Sequence, residues 1–322
     1  MDNFEEFKKI LLDFDNQFAR AKKLAINVNF ENVKNVMVCA MGGSALAAEF
    51  VRALFYPNLK IQISKDYILP DYIDDSWLCI FISYSGGTEE TITAYEQATL
   101  KTKNVAIITS GGKLKELAIK NNNPLILMDK GLQPRLAFTY QTMPIINILN
   151  NSNLISFDLE KESKNVNEML WSDFEKDANI ILNELTGIPV IYASQKNECL
   201  AYKWKISLNE NAKTPAFSNV FPEFNHNEIN GFTNTNAKFT IIMLQDSEDY
   251  INIKKRFAIV SDIFKEKGLK VIQVKLKGKN RFSKLIYGML LADWLSYLYS
   301  IKTGIDPLTV PIITDLKQRL VL

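Results

Sequence analysis

The sequence holds one histidine, three cysteines and thirteen glycines among 322 residues, and each scarcity removes a class of function. One imidazole and no closely spaced cysteine pair leave too few nitrogen or sulfur ligands for a zinc- or copper-type centre. No metal or other cofactor is expected, although carboxylate-bound magnesium stays open. Cys39, Cys79 and Cys199 lie far apart, and two of them fall in candidate buried strands, so neither a disulfide framework nor a zinc module is expected. An excess of one charge sign is missing too. Lys and Arg number 38 against 36 Asp and Glu, a formal charge of +2, which argues against nucleic acid or an anionic membrane surface as partner. The longest apolar run near the C-terminus, Leu285 to Ala292, falls well short of the ~20 residues that span a bilayer. The opening Met-Asp-Asn-Phe-Glu-Glu-Phe lacks the basic-then-apolar order of a signal peptide. A reducing cytoplasm is the expected location.

At roughly 150 residues per domain the length suggests two domains, and 47% hydrophobic with 23% charged residues is ordinary globular composition. Phe4, Phe7, Ile10, Leu11, Phe14, Phe18 and Ala21 recur at helical spacing and predict one amphipathic helix over 4–24. Short apolar runs follow: Val36 to Ala40, Ile61 to Ser64, Leu78 to Ser83, Val105 to Thr109 and Leu125 to Met128. Helical patterns after several of them predict βα units and a mostly parallel sheet. After a polar stretch around 150–167 the rhythm restarts, with Val190 to Ala193, Phe239 to Leu244 and Leu269 to Val274 as strands. Helices are expected over about 197–212, 248–267 and 282–302, and a last short one from Pro311 to Leu322. The expectation is an α/β chain of two similar domains, 1–155 and 156–322.

Six of the thirteen glycines form three pairs, Gly42-Gly43, Gly86-Gly87 and Gly111-Gly112. Each lies just after a predicted strand and just before a predicted helix, the edge of an open parallel sheet where ligands bind. Two of these turns also carry hydroxyls, Met41-Gly42-Gly43-Ser44 and Ser83-Tyr84-Ser85-Gly86-Gly87-Thr88. Glycine lets the backbone approach an anion, a helix N-terminus aims free N–H groups at it, and Ser or Thr adds donors. The alternative is purely structural, since Ser and Thr also favour helix starts. No Gly-Lys-Ser/Thr and no Gly-x-Gly-x-x-Gly follows, so nucleotide cofactors lose support. A small phosphorylated ligand such as a sugar phosphate remains.

The segment Trp204 to Phe232 contains the only histidine, three carboxylates and several asparagines among its 29 residues, dense polarity for a mere connection. Glu210 ends one helical stretch and His226 opens another. A carboxylate can shuttle a carbon-bound proton, and an imidazole can work on a hydroxyl near neutral pH. Read singly, His226, Glu210, Arg135 in Gln133-Pro134-Arg135, and Lys317 on the last helix are each equally at home as surface or structural groups.

Taken together, these residues resemble the archaeal and bacterial bifunctional phosphoglucose/phosphomannose isomerases, built from two sugar isomerase (SIS) domains. The markers are Met41-Gly-Gly-Ser-Ala45, Lys65-Asp-Tyr67, Ser83-Tyr-Ser-Gly-Gly-Thr-Glu-Glu-Thr91, Thr109-Ser-Gly-Gly-Lys113, Gln133-Pro-Arg135, Leu208-Asn-Glu-Asn-Ala-Lys213, Asn219-Val-Phe-Pro-Glu223, Asn225-His-Asn-Glu228 and Asp306-Pro307. The resemblance implies two SIS-type domains, each a mostly parallel sheet flanked by helices, in a homodimer with shared active sites. It implies Glu210 as the base moving a proton between C1 and C2, with His226, reaching in from the other subunit, and Lys317 opening the sugar ring. Arg135 is implied as the group stabilising the enediolate, and Gly43, Ser44, Ser83, Ser85 and Thr88 as the phosphate site. Thr309 corresponds to a residue that leaves room for rotation about C2–C3. Ala40 stands where the family usually has Gly, Ala47-Ala48-Glu49 where Gly-Gly-Asp is common, and Gly87 where Asn is usual. Two other readings share the fold: a non-catalytic sugar-phosphate regulator, and an isomerase of another sugar phosphate.

Overall fold

The computed structural model describes residues 2–168 and 171–320. The leading segment forms two helices, α1 (Asn3–Leu12) and α2 (Phe14–Ala21), rather than the one its spacing predicts. The break is Asp13, whose carboxylate takes Asn16 and Arg20 side-chain N–H groups, each at 2.8 Å. Chain contacts define two compact units, Asp13–Asn167 and Met1–Leu12 with Glu168–Leu322. The break thus lets α1 leave its neighbour and join the second unit, where Phe7 stacks on Tyr297 at 5.5 Å. These limits differ from the expected 155/156 boundary.

In the first unit the five expected runs are strands: β1 (Asn35–Ala40), β2 (Ile61–Ser64), β3 (Trp77–Ser83), β4 (Val105–Thr109) and β5 (Leu125–Leu127). Between and after them come α3 (Gly42–Leu54), α4 (Glu89–Ala98), α5 (Gly112–Lys120), α6 (Phe138–Asn151) and α7 (Leu159–Asn167). All pairings are parallel, in the order β2-β1-β3-β4-β5. Every residue of β3 is buried, as expected of a parallel strand covered on both faces, and this is why the run is apolar throughout. Phe81 meets Tyr95 of α4 edge-on at 5.5 Å in the core beside Cys79, Ile107 and Leu114. Ala40 pairs with Ile82, and Ser83 with Thr109, so β1, β3 and β4 end level with one another. Part of the polar stretch before 167 is α7.

The second unit has α8 (Trp171–Glu184), β6 (Ile188–Ser194), α9 (Glu198–Glu210), β7 (Phe217–Phe221), β8 (Phe239–Gln245), α10 (Ile251–Glu266), β9 (Lys270–Lys275), α11 (Arg281–Thr303) and α12 (Pro311–Leu320). Its sheet is also parallel, in the order β7-β6-β8-β9. Tyr192, Phe221, Phe224, Phe257 and Phe264 form its aromatic core. Asn280 and Ser283 make a capping box that starts α11, and Gly304, in the left-handed conformation, ends it. Among the described residues no helix is long and apolar enough to cross a membrane.

Candidate active site

The turn after β3 is built around Ser83. Its hydroxyl, buried at the strand end, accepts the Gly86 N–H at 3.0 Å and lies 2.8 Å from the Thr88 hydroxyl. Thr88 is the residue before α4, yet its side chain makes no cap bond to that helix, and Met41 makes none to α3. A threonine at a helix start normally satisfies one of the free N–H groups there. Here the hydroxyl is drawn into the turn instead. Ser85 and Gly87 are exposed, and the Gly87 N–H donates to the Ser85 hydroxyl at 3.3 Å.

The third glycine pair packs against the second. A Cβ on Gly86 (φ +69°) would come within 1.7 Å of the Gly111 carbonyl oxygen, and one on Gly112 (φ +68°) within 2.4 Å of the Ser85 carbonyl oxygen. The Ser110 hydroxyl donates to the Tyr84 carbonyl at 2.6 Å, and the Leu114 N–H to the Gly86 carbonyl at 2.8 Å. Gly111-Gly112 is thus the brace that holds the Ser83–Thr88 turn from the side. A Cβ on Gly87, by contrast, would meet only the Ser85 hydroxyl oxygen, at 4.0 Å, an ordinary contact, so the backbone there has room for the first side-chain carbon of the asparagine usual in the family.

Arg135 joins this edge through its backbone. A Cβ on Gly43 would lie 2.8 Å from both the Cα and the N of Arg135. Glycine at 43 is therefore what lets the Gln133–Arg135 segment lie against the start of α3. Arg135 is 2% exposed, and the Tyr84 hydroxyl fixes the approach to it by donating to the Asp129 carbonyl (2.8 Å) and accepting the Leu132 N–H (2.9 Å). Ser44 is buried in the first turn of α3. Five of the ten expected site residues, with Arg135 a sixth, thus gather on the carboxyl edge of one sheet.

The other four lie in the second unit. Glu210 is half-buried at the end of α9. Lys203 and Ser207 on that helix and Asn211 just past its end recur every four residues and face α11: Lys203 Nζ and the Ser207 hydroxyl reach Asp293 Oδ1 at 2.6 and 3.0 Å, and Asn211 Nδ2 reaches Ser296 Oγ at 2.9 Å. Asn209 Nδ2 donates to the Thr214 carbonyl at 2.9 Å, and the Thr214 N–H returns to the Leu208 carbonyl at 3.0 Å. Both neighbours of Glu210 are therefore pinned. Lys213 (φ +49°) donates to the Asp306 carbonyl. Asp306 accepts from Asn3 at 2.7 Å, from the Leu308 N–H at 2.8 Å and from Thr309, which hold its carboxyl below the ordinary value against the effect of burial. Thr309 thus has a hydroxyl in use within its own turn, beyond the small size that the resemblance implies. Lys317 is exposed on α12.

Residues 174–320 match the family model of the bacterial phospho-glucose isomerase C-terminal SIS domain. Across 322 residues the sequence is 32% identical to the bifunctional phosphoglucose/phosphomannose isomerase of Aquifex aeolicus, covering 98% of each chain. The chain belongs to the bifunctional phosphoglucose/phosphomannose isomerase family. It also shares 32% identity over 201 residues with the D-glucosamine-6-phosphate 4-epimerase of Sulfolobus acidocaldarius, 62% of this chain and 64% of that one. The fold is that of SIS proteins: the crystal structure of glucosamine-6-phosphate deaminase from Thermotoga maritima superimposes with a TM-score of 0.70 at 14% identity, over 95% of this chain and 97% of that one.

His226 is exposed on a short 3-10 turn, Glu223–His226. Its placement depends on Glu228, which sequence reasoning quoted within a motif and gave no role. Glu228 accepts from the Tyr192 hydroxyl and from Asn219 Nδ2, each at 2.5 Å. Burial and this carboxylate push the Tyr192 hydroxyl far above its ordinary pKa, so it stays a donor. The Asn227 side chain caps the following turn through the Glu228 N–H at 2.5 Å. Asn219, Asn227 and Glu228 hold the histidine loop onto β6 and β7, and the Asn-His-Asn-Glu spacing was the signal for it. Among the described residues no group of three or more His, Cys, Asp or Glu is placed to hold a metal ion.

Proposed function

We propose that the protein interconverts fructose 6-phosphate with glucose 6-phosphate and mannose 6-phosphate, through a cis-enediol(ate) and by proton transfer that uses no metal. The Ser83–Thr88 turn carries the phosphate part of this reading. Its threonine withholds the cap bond from α4, leaving N–H groups at the positive end of a helix beside two hydroxyls, the donor set that a phosphate takes. Gly43, Ser44 and Ser85 belong to the same site. Full-length likeness to the Aquifex aeolicus isomerase supports the sugar part.

In this reading Glu210 takes the C2 proton and returns it to C1. The charge that develops on oxygen needs a fixed positive partner, and Arg135, buried and charged at any working pH, serves. Glucose and mannose 6-phosphates differ only at C2, so one base serves both if the planar enediol turns while the phosphate end is held. Thr309 borders that turning end, and His226 with Lys317 opens the ring. The active form is a homodimer in which His226 works in the partner's site. Support for the dimer comes from α12, which buries none of its residues although Ile312, Leu316 and Leu320 form an apolar stripe on it.

The 4-epimerase relative favours a second reading, in which the same phosphate turn serves an amino sugar and chemistry at C4. A coupled assay on fructose 6-phosphate, detecting glucose 6-phosphate and mannose 6-phosphate separately, tests the first. Turnover of glucosamine 6-phosphate with none of fructose 6-phosphate would replace it with the second.

A further inference from the structure

The two sheets share one connectivity. In order and direction β1, β2, β3 and β4 correspond to β6, β7, β8 and β9. The counterpart of the Ser83–Thr88 turn is therefore the turn between β8 and α10, residues 246–250. In an open parallel sheet the crevice at the strands' carboxyl ends, where the strand order reverses, is the place for a ligand. In the second unit a side chain of the protein itself stands there. The Asp246 carboxylate, 2% exposed, accepts the Glu248 N–H at 2.9 Å, lies 2.9 Å from both Lys196 Nζ and Lys284 Nζ, and takes Arg281 Nη1 at 3.3 Å. Lys196 comes from the turn after β6, and Arg281 and Lys284 from the first turn of α11 after β9. Three cations from two flanking loops thus converge on one carboxylate of the third.

The surrounding groups complete the balance. Asp249, also buried, accepts the Ser194 hydroxyl at 2.5 Å and the Asp246 N–H at 3.1 Å, and lies 3.6 Å from Lys196. Glu248 pairs with Lys284 at 2.9 Å, Asn197 donates to Ser194 at 3.0 Å, and Arg281 also donates to Asn197 and to the Lys196 carbonyl. Lys196, Arg281 and Lys284 are matched by Asp246, Glu248 and Asp249. Ammonium groups, a guanidinium and a backbone N–H at a helix start are the donors that bind oxyanions. The first sheet offers hydroxyls and glycine N–H groups at this position. The second offers a stronger cationic set and fills it from within.

We infer that Asp246 is a built-in occupant of the second unit's ligand crevice: the crevice is made for a small oxyanion, and the chain supplies its own carboxylate in that place. The duplicated fold therefore keeps one open phosphate turn, while the other serves to tie the loops after β6, β8 and β9 together. Removing the carboxylate uncovers a site for a phosphate-sized anion.

The test is calorimetric titration of the full chain with inorganic phosphate, at fixed ionic strength in chloride. Asp246→Ser is expected to take up one more phosphate per chain than the parent, and adding Lys284→Met is expected to weaken that extra site at least tenfold. Asp246→Asn, which keeps the space filled, is expected to match the parent. Cations left facing one another can cost the fold, so the charge-matched Lys196→Met/Asp246→Ser chain is measured alongside and decides if Asp246→Ser does not fold. Its extra phosphate is expected to bind about tenfold more weakly than in Asp246→Ser. Parent stoichiometry in Asp246→Ser, or in Lys196→Met/Asp246→Ser where Asp246→Ser does not fold, or an extra phosphate in Asp246→Asn, overturns the inference.

Discussion

Gly43→Ala is the perturbation whose consequence can be worked out most closely. The added methyl would lie 2.8 Å from two backbone atoms of Arg135, where ordinary contact begins at 3.4 Å, so the backbone has to give by about 0.6 Å. No flexible side-chain end is available to absorb it. Overpacking of this kind costs about 1–3 kcal/mol of stability. The kinetic cost has a separate origin. A misplacement of about 1 Å in a positioned group can cost on the order of 100-fold, so a shift of roughly half that at Arg135 is expected to lower kcat about tenfold, with KM changed far less. Gly268→Ala is the matched control. It has φ +78° and nothing within 4 Å of its Cβ position, so it is expected to lose about 1–2 kcal/mol from the left-handed backbone alone and to keep its kcat. Steady-state kinetics with fructose 6-phosphate and thermal unfolding of both variants separate the effects. A Gly43→Ala enzyme that is destabilised but retains kcat within twofold would refute the argument that this glycine serves the placement of Arg135.

Glu210→Gln is expected to abolish isomerisation while phosphate-ligand affinity stays within about tenfold; retained turnover rejects the base assignment. Lys203→Met leaves Asp293 buried and uncompensated, a loss of about 3–5 kcal/mol, whereas Lys203→Met/Asp293→Leu is expected to be near neutral; denaturant unfolding of the single and double variants checks this, and equal losses would show that the pair is not what holds α9 to α11. Leu316→Glu places a charge in the apolar stripe of α12 and is expected to halve the mass seen by sedimentation. Unchanged mass removes α12 from the proposed dimer contact.

Much of the first unit could be read from its residues, because a parallel sheet covered on both faces writes each strand as an unbroken apolar run. β7 could not. It is an edge strand whose Ser218 and Asn219 break the apolar pattern, and Asn219 is polar because its side chain is needed by Glu228. The break at Asp13 was hidden for a related reason: Phe14 and Phe18 keep helical spacing with Phe7 and Leu11, yet the two helices bury these faces in different units. The family motifs made Arg135 and His226 candidates for the site, but did not say how they are held. Arg135 depends on a close backbone approach 92 residues earlier in the chain, at Gly43, and such an approach has no local pattern.

The same contrast explains why glycine pairs revealed one rim and not the other. A turn that receives an external anion must bring N–H groups close to it, and the chain records this as glycines and hydroxyls. A turn that receives its own carboxylate needs cations at a distance set by side-chain length, and Lys196, Asp246, Arg281 and Lys284 are scattered over 89 residues with no spacing rule. In sequence they are indistinguishable from surface charge. Only their convergence gives them away: a carboxylate that is 2% exposed yet held well below the ordinary carboxylate pKa by the Glu248 N–H, Lys196 and Lys284, which together overcome the opposing effect of burial. A buried charge on these terms stabilises the fold only while all its partners stay in place, so by this inference the second rim trades ligand capacity for rigidity, while at the first the Ser85 and Gly87 positions stay exposed.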